Sequence, residues 1–248
     1  INQIRATNGS LFVSSTGKVQ SISSSISTTS TGSDFLTNYP TASNQLLVHY
    51  TFNDGGKTPI QDYSGNANTG SASLSTNLST TAGYAGMGAT FVSSSFDQII
   101  LPSTISETKV QKFTIACWVN RGNTFSGSNE TYHNLVGSTK GNFIIIEKNG
   151  TVTFRIPNVA PLYAGNNHGS TNDISSGSWT HLACTYDQAT ASVYIDGALA
   201  GQTGSGAGDV DFDGKVTIGV DPDSDSYRNF EGRLDDFRFY TGSLSANE

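Results

Sequence analysis

Charged residues are scarce in this sequence, because Lys, Arg, Asp and Glu make up 13% of its 248 residues. Typical globular domains contain roughly 25%. The 13 basic residues are outnumbered by 20 acidic ones, which leaves a net charge of −7. This balance excludes the basic surface of nucleic-acid-binding proteins and a polybasic membrane patch. No apolar run approaches the roughly 18 residues of a membrane-spanning helix. We expect a surface of Ser, Thr, Asn and Gly, which suits an extracellular or particle-exposed protein.

Cysteine is also scarce, and the two cysteines lack the CxxC or Cys/His spacing of a zinc site. Cys117 shares one face of a predicted strand with the apolar Phe113 and Ile115, and Cys184 shares one with Leu182. Both cysteines are therefore predicted to face the core. Two alternatives stay open at this point. The cysteines are either two buried thiols or a disulfide between neighbouring strands, which would contribute roughly 4 kcal/mol.

Short apolar runs separated by turn residues fill the sequence from residue 46 onwards. Asp196-Gly197 lies between two such runs and is a strong hairpin signal, because a type I′ turn needs positive φ at both central residues. Asn149-Gly150 indicates a second tight hairpin. No segment has helical spacing over three turns. About a dozen short strands joined by turns predict an all-β, antiparallel two-sheet sandwich. The predicted strands are Leu46–Phe52, Ala89–Val92, Gln98–Leu101, Phe113–Asn120, Asn134–Gly137, Asn142–Lys148, Thr151–Pro157, Trp179–Tyr186, Ala191–Ile195, Ala198–Gln202, Lys215–Val220 and Gly232–Tyr240.

Residues 1–45 differ in composition from the rest. Of the 27 residues from Thr7 to Ser33, 15 are Ser or Thr, and Phe12 is the only aromatic. Aliphatic residues at often even spacing nevertheless flank a Thr16-Gly17 turn, which predicts two or three short strands with too little apolar surface to fold alone. We expect this extension to pair with another copy of the chain or with a larger assembly. A flexible Ser/Thr linker is the alternative.

An ordered set of sequence blocks resembles the laminin-G-like jelly rolls of the concanavalin A-like superfamily. The blocks are LLVHYTFNDG, QDYSGNANTG, GYAGMGATFV, FTIACWVN, SWTHLACTYDQATASVYIDGALAG and GRLDDFRFYTGSLSANE. The resemblance covers residues 46–248 and implies two curved antiparallel sheets with the first and last strands paired. Members of the superfamily include lectins, carbohydrate-binding modules, adhesion domains and glycosidases, so the function has to be argued from the site.

The acidic motif of the superfamily's glycosidases is missing. Catalytic members usually carry Glu-x-Asp-x-Glu on one strand, whereas no Glu in this sequence has an acidic residue two positions away. The adjacent Asp235 and Asp236 are expected to point to opposite faces of a strand and so not to act together. No motif links a histidine to a nucleophile, and His181 is expected to have a structural role. We therefore predict a protein that is not an enzyme, with a glycosidase as the less favoured alternative.

Calcium is the cofactor that the carboxylates favour, because Ca²⁺ takes six to eight oxygen ligands. The resemblance implies a structural ion where the opening segments meet the last strand. Asp236 matches that strand position, and Asp54 and Asp62 are the candidates from the opening segments. Asp62 has a local alternative, which is to cap the turn that it begins.

A second acidic cluster lies in the segment VDPDSDSYRN, which joins two predicted strands at the rim of the sandwich. Laminin-G-like domains often place a ligand-contacting metal at this rim, which makes Asp221, Asp223 and Asp225 candidate ligands. Arg228 nearby could instead neutralise the cluster.

Two long segments, residues 121–133 and 158–173, carry side chains suited to sugar recognition. Sugars need planar apolar surfaces together with groups that satisfy their hydroxyls. The alternative is that both segments are ordinary surface loops. The candidate ligand-binding residues are Tyr132, His133, Tyr163, Asn166, Asn167 and His168.

These observations predict a jelly-roll sandwich over residues 46–248, preceded by an anchoring or assembly extension over residues 1–45. We expect a recognition or adhesion domain that binds a glycan or a cell-surface receptor and is displayed on an extracellular surface or a virion. The extension would make it a homo-oligomer or part of a larger assembly. The alternative is a structural subunit of a capsid decoration, fibre or surface layer, with contacts from protein to protein.

Overall fold

The structure is a computed structural model that divides into two compact units, Ile1–Asn38 and Tyr39–Glu248. It describes residues 4–7, 10–15, 18–22, 45–55, 58–72, 79–106, 109–123, 132–139, 141–156, 163–165, 173–204, 208–212, 214–222 and 228–245. All statements below concern these residues.

The first unit contains three antiparallel strands, β1 (Ile4–Thr7), β2 (Ser10–Ser15) and β3 (Lys18–Ile22), in the order β1-β2-β3. Ser15 pairs with Lys18, so β2 and β3 meet across residues 16 and 17, where the sequence predicts a turn. The prediction of two or three short strands is therefore confirmed. The anchoring role of residues 1–45 stays a prediction.

The second unit contains seventeen strands. They are β4 (Gln45–Tyr50), β5 (Ser71–Ala72), β6 (Ser79–Ala82), β7 (Met87–Phe91), β8 (Ile99–Ile100), β9 (Lys109–Val110), β10 (Phe113–Arg121), β11 (Tyr132–Ser138), β12 (Gly141–Glu147), β13 (Val152–Arg155), β14 (Tyr163–Gly165), β15 (Trp179–Tyr186), β16 (Thr190–Ile195), β17 (Ala198–Gly204), β18 (Val210–Asp211), β19 (Val216–Ile218) and β20 (Gly232–Thr241). Two helical turns, Ser93–Ser95 (3₁₀) and Ser103–Ser106 (α), interrupt them. No helix among the described residues is long and apolar enough to cross a membrane.

Two large antiparallel sheets form the sandwich. The sheet that we call the front sheet has the order β17-β16-β15-β10-β20-β7-β6, and β4 also pairs with β20. The back sheet has the order β14-β13-β12-β11-β19-β8-β5, and β9 and β18 form a small separate pair. Tyr50 of β4 lies opposite Phe237 of β20, which confirms that the first and last strands pair. The predicted two-sheet antiparallel jelly roll is therefore confirmed.

The core lies between the two sheets because alternate residues of each strand point inward. Phe113 on β10 is fully buried, and its ring centroid lies 5.4 Å from that of Phe143 and 5.8 Å from that of Phe154 on the back sheet. Its ring also packs on Tyr186, Phe212 and Phe239. These buried aromatic side chains hold the two sheets together. The residues that alternate with them on the front sheet form its outer face.

The Asp196-Gly197 hairpin has the predicted geometry. Both residues have positive φ, 50° and 80°, as the type I′ turn requires, and the turn joins β16 to β17. The Asn149-Gly150 hairpin joins β12 to β13, with positive φ at Gly150 only, at 97°. Asn149 instead accepts a hydrogen bond from the Thr151 N–H at 3.0 Å, as asparagine commonly does in turns.

The two cysteines are buried and face the core as predicted, but they are free thiols. The disulfide alternative is therefore wrong for this structure. Cys117 lies opposite Leu182, and Cys184 lies opposite Ile115, so the cysteines are diagonal rather than direct neighbours. Diagonal positions stand about 7–8 Å apart, too far for the Cβ separation that a disulfide needs. Burial raises the pKa of the Cys117 thiol to about 12, which keeps it protonated and unreactive.

Candidate functional site

A cleft of about 280 Å³ opens on the outer face of the front sheet. Its floor contains Ala116 and Ala183, which lie directly opposite each other on β10 and β15. Tyr194 lies opposite Ala183 on one side, and Arg238 lies opposite Ala116 on the other. The cleft exists because two small side chains on central strands are flanked by large ones. The remaining lining residues are Thr114, His181, Thr185, Gly197, Asp236, Tyr240, Leu244 and Ser245.

A β-bulge in β20 brings Asp236 to this cleft. Asp235 lies opposite Trp118 and Arg238 lies opposite Ala116, so β20 takes three steps where β10 takes two. Asp236 occupies the bulge with φ of 52°, a left-handed conformation that Asp tolerates better than most residues. The expectation that Asp235 and Asp236 point to opposite faces is therefore wrong. The extra residue cancels the alternation and leaves both on the side of the cleft.

The Asp236 carboxylate is held by two basic side chains. Its Oδ1 shares a 2.6 Å hydrogen bond with Nε2 of the buried His49 and accepts a 3.1 Å bond from Arg238 Nε, while Arg238 Nη2 lies 2.8 Å from Oδ2. Burial opposes ionisation, but the hydrogen bond with His49 and the charge of Arg238 outweigh it and lower the pKa of Asp236. Asp236 and Arg238 therefore form an ion pair at neutral pH.

An aromatic ridge adjoins the cleft beside His181. The Trp118 ring meets His181 edge to face, with centroids 5.2 Å apart, and the Tyr84 ring stacks on Trp118 at 3.4 Å and 9°. Tyr84 is 52% exposed, so the ridge presents a planar apolar surface to solvent. Burial and then the nearby Arg238 lower the pKa of His181, which is therefore neutral at pH 7.

Asp235 anchors the loop that carries Tyr84. Its Oδ2 accepts a hydrogen bond of 2.9 Å from the Ala85 N–H, and a Cβ at Gly83 would lie 2.5 Å from the same oxygen. Only glycine therefore allows the loop to approach this closely. Asp235 is 2% exposed, and burial raises its pKa to about 6.

The raised pKa of Asp235 predicts a stability that depends on pH. Its folded-state pKa lies above the value of 3.8 for a free carboxyl, so protonation favours the folded state. Asp235 should make its full contribution to the free energy of unfolding below about pH 4. That contribution, about 3 kcal/mol, should be lost as the pH rises through 6. Urea unfolding of the wild type and Asp235→Asn at pH 4 to 8 measures it. As the pH rises over this range, the unfolding free energy of the wild type should fall relative to that of Asp235→Asn. If the unfolding free energies of the two proteins change in parallel with pH, the prediction is wrong.

The predicted calcium ligands Asp54, Asp62 and Asp236 each have protein partners, and Asp62 and Asp236 share His49, the first through its backbone N–H and the second through Nε2. Asp62 caps its own turn, as the local alternative predicted, and accepts hydrogen bonds from the N–H groups of His49, Ser64 and Asn68 at 2.8–2.9 Å. Asp54 accepts a 3.3 Å bond from the Gln61 N–H. Among the described residues, no group of three or more His, Cys, Asp or Glu could hold a metal. A calcium ion at these residues stays a prediction.

The second acidic cluster is described in part. Asp221 is half-buried and follows Val220 after β19, whereas Asp223 and Asp225 lie outside the described residues. The metal site predicted there also stays a prediction.

Of the candidate ligand-binding residues, His133 is corrected by the structure. It is fully buried, like the residues that follow it on β11, and its ring packs edge to face on Phe230 at 6.4 Å. Tyr132 is half-buried at the start of β11, where it accepts a hydrogen bond from Arg228 and carries the guanidinium 4.6 Å from its ring centroid. Tyr163 begins β14. Asn166, Asn167 and His168 lie outside the described residues, so their role stays a prediction.

The cleft itself was missed by sequence reasoning, apart from Asp236. His181 was expected to be structural, yet it lines the cleft. One signal was available in the sequence. On the outer face of these two paired strands, β10 and β15, the small Ala116 and Ala183 lie one outward position from the large Trp118 and His181.

Known proteins resemble this chain at the level of structure. Domain 4 of the extracellular arabinanase AbnA from Geobacillus stearothermophilus, solved with arabinotriose, is 21% identical, with 82% of this chain and 96% of that domain covered and a TM-score of 0.60. The binding domain of Paraclostridial Mosquitocidal Protein 1 is 20% identical, with coverage of 82% and 50% and a TM-score of 0.59. The binding domain of botulinum neurotoxin serotype C1 is 18% identical, with coverage of 82% and 50% and a TM-score of 0.56. This chain therefore spans about half the length of the two toxin binding domains, and these similarities establish a shared fold.

Comparison of sequences adds the family. No curated protein sequence matches the chain. The family model Laminin_G_3, of the concanavalin A-like lectin/glucanases superfamily, matches residues 93–248, which is more than half of the chain. This confirms the family that the sequence blocks indicated. The match includes the floor of the cleft and its Asp236–Arg238 wall. The chain therefore belongs to the concanavalin A-like lectin/glucanases superfamily as a laminin-G-like domain.

Proposed function

We propose that this protein is a carbohydrate-binding domain that holds a glycan in the cleft of the front sheet without cleaving it. The observation that carries the proposal is the combination of a cleft of about 280 Å³ with an adjoining aromatic ridge. Ligand sites are concave, and a few placed polar groups orient the ligand within them. This cleft has that form.

The chemistry of the lining suits sugar hydroxyls. Thr185 and Tyr194 bring hydroxyl groups to the cleft, and a hydroxyl can both donate and accept a hydrogen bond. The Thr114 hydroxyl is already used by the protein, since it donates to the Gly242 carbonyl at 2.7 Å and accepts from the Leu244 N–H at 2.9 Å. A pyranose or furanose ring also has a face of C–H groups that packs on an aromatic ring. The exposed face of Tyr84 on the ridge suits that contact.

Three structural neighbours support the ligand class. Domain 4 of the arabinanase was solved with arabinotriose, and a botulinum neurotoxin DC binding domain was solved in complex with SialylT. Cell entry of botulinum neurotoxin type C depends on two ganglioside molecules. A shared fold does not by itself assign a function, so these neighbours add support to a proposal that rests on the cleft.

The absence of hydrolysis follows from the carboxylates at the cleft. A glycosidase needs two carboxyl groups on either side of the scissile bond. Among the described lining residues, Asp236 is the only carboxylate, and it is held by Arg238 and His49. Asp235 is buried beneath the Tyr84 loop, so it cannot reach a ligand. Glu231 accepts a 2.7 Å bond from the Ser93 N–H.

A glycan array with the purified chain tests the proposal, with product analysis of each glycan that is bound. The proposal expects binding without release of shorter products. The same array in calcium and in EDTA tests the calcium prediction, because a structural ion at Asp54, Asp62 and Asp236 would make binding or melting temperature depend on calcium. Absence of binding under both conditions would refute the carbohydrate proposal.

The first unit supports a second part of the proposal. We propose that Ile1–Asn38 attaches the domain to another copy of the chain or to a larger assembly on an extracellular surface or a virion. Its three strands, in a segment rich in Ser and Thr, are the supporting observation. Deletion of residues 1–38 should reduce the mass measured by light scattering and leave glycan binding intact. Lost assembly in a protein that binds no glycan at any length would favour a structural subunit instead.

A further inference from the structure

We infer that the cleft selects uncharged glycans and discriminates against anionic ones such as sialylated or uronic-acid-containing glycans. This inference rests on the proposed function and adds the class of ligand to it. It follows from the charges that face the cleft, which we take in turn.

The positively charged side chain of the cleft, Arg238, is already paired with a carboxylate of the protein. Arg238 is the only Lys or Arg among the described lining residues, and it meets both oxygens of Asp236 at 2.8 and 3.1 Å. A guanidinium recognises a carboxylate through paired hydrogen bonds of this kind. A bound anionic sugar would have to compete with Asp236 for Arg238 and would lie beside the Asp236 carboxylate.

None of the other described lining residues supplies a positive charge to an anion. His181 is uncharged at pH 7, because burial and the neighbouring Arg238 both disfavour its protonation. Its backbone N–H donates to Asp196 Oδ1 at 2.9 Å, which places a further carboxylate next to the lining residue Gly197. The remaining polar lining residues carry uncharged hydroxyl groups, which do not favour a charged sugar over a neutral one.

The charge of the whole chain acts in the same direction. Twenty acidic and 13 basic residues give a net charge of −7, and a field of this sign lowers the local concentration of anionic ligands. Local pairing and long-range charge therefore both favour a neutral ligand.

The test is an array in which every neutral glycan is matched by its sialylated form, at about 0.15 M salt, where fields are screened beyond about 8 Å. We expect the neutral member of a bound pair to bind at least about tenfold more tightly. Preference for the sialylated member would overturn this inference and leave the proposed function intact. No binding to either set would overturn the proposed function itself.

A variant tests the reason for the selectivity. Asp236→Asn releases Arg238 and should shift the preference toward the sialylated member by about tenfold. Asp196→Asn is the matched control, because it removes the same charge at the rim and leaves the Asp236–Arg238 pair in place. Both aspartates have φ near +50°, which Asn tolerates, so neither change strains the backbone.

The outcomes of the variants are distinct. If Asp236→Asn shifts the preference toward the sialylated member and Asp196→Asn shifts it clearly less, the Asp236–Arg238 pair sets the selectivity. Equal shifts would mean that net charge alone sets the selectivity, which overturns the role of the pair. Wild-type binding in salt from about 0.05 to about 0.5 M gives a readout that needs no variant, since recognition of a neutral ligand should change less than about twofold. A strong salt dependence would contradict the inference.

Discussion

Replacement of Phe113 with alanine should lower the free energy of unfolding of the second unit by about 3–5 kcal/mol. Phe113 is fully buried, and its ring contacts five other aromatic rings, which come from both sheets and from the segment between β18 and β19. Truncation would remove the burial energy of the ring and leave a cavity at the point where the layers meet. For a domain of this size, the melting temperature should fall by roughly 10 °C.

Tryptophan fluorescence during urea unfolding measures this loss in the right part of the molecule. Both tryptophans, Trp118 and Trp179, belong to the second unit, so the first unit does not contribute to the signal. Leu199→Ala is the matched control, because Leu199 is 50% exposed and should change stability by less than about 0.5 kcal/mol. A loss below about 1 kcal/mol for Phe113→Ala would mean that Phe113 is not central to the core.

Replacement of Ala183 with tryptophan should reduce glycan affinity on the order of 100-fold, or about 2.8 kcal/mol. Ala183 lies at the centre of the floor between Ala116 and Tyr194, and its side chain points out of the sheet. An indole at this position would fill the cleft that the ligand needs. Tryptophan is also well accepted in strands, so the fold should persist.

Titration calorimetry with the tightest glycan from the array measures the affinity of Ala183→Trp. Thr81→Trp on β6 is the matched control, because Thr81 is exposed and does not line the cleft. It should bind as the wild type does, and both variants should melt within a few degrees of the wild type. Unchanged affinity in Ala183→Trp would place the ligand elsewhere on the domain.

Local signals in the sequence were sufficient for most strands of the second unit. β15 begins at Trp179 and ends at Tyr186, as the pattern predicted, because alternating apolar residues and flanking turn residues both act within a few positions. The strands that were missed are two to four residues long and carry no such pattern. They are Ser71–Ala72, Ser79–Ala82, Lys109–Val110, Tyr163–Gly165 and Val210–Asp211.

The cleft was less accessible to sequence reasoning because it depends on pairing between distant strands. Ala116 and Ala183 form a floor only in the register that sets them opposite each other, and that register is a property of the whole sheet. The sheet face on which Asp236 lies also depends on pairing, because it is set by the bulge that β20 forms against β10. Strict alternation placed Asp235 and Asp236 on opposite faces, and a single extra residue in β20 reversed that result.

The position of β20 inside the front sheet has a consequence for biosynthesis. β20 pairs with β10 on one side and with β4 and β7 on the other, although more than 100 residues separate it from each of these partners. Pairing over such separations is slow, because a long loop has to close before any contact forms. During translation, the strands made earlier wait with open edges until residues 232–241 leave the ribosome. The same event then closes the sandwich and delivers Asp236 and Arg238, so the cleft forms only in chains that have completed their fold.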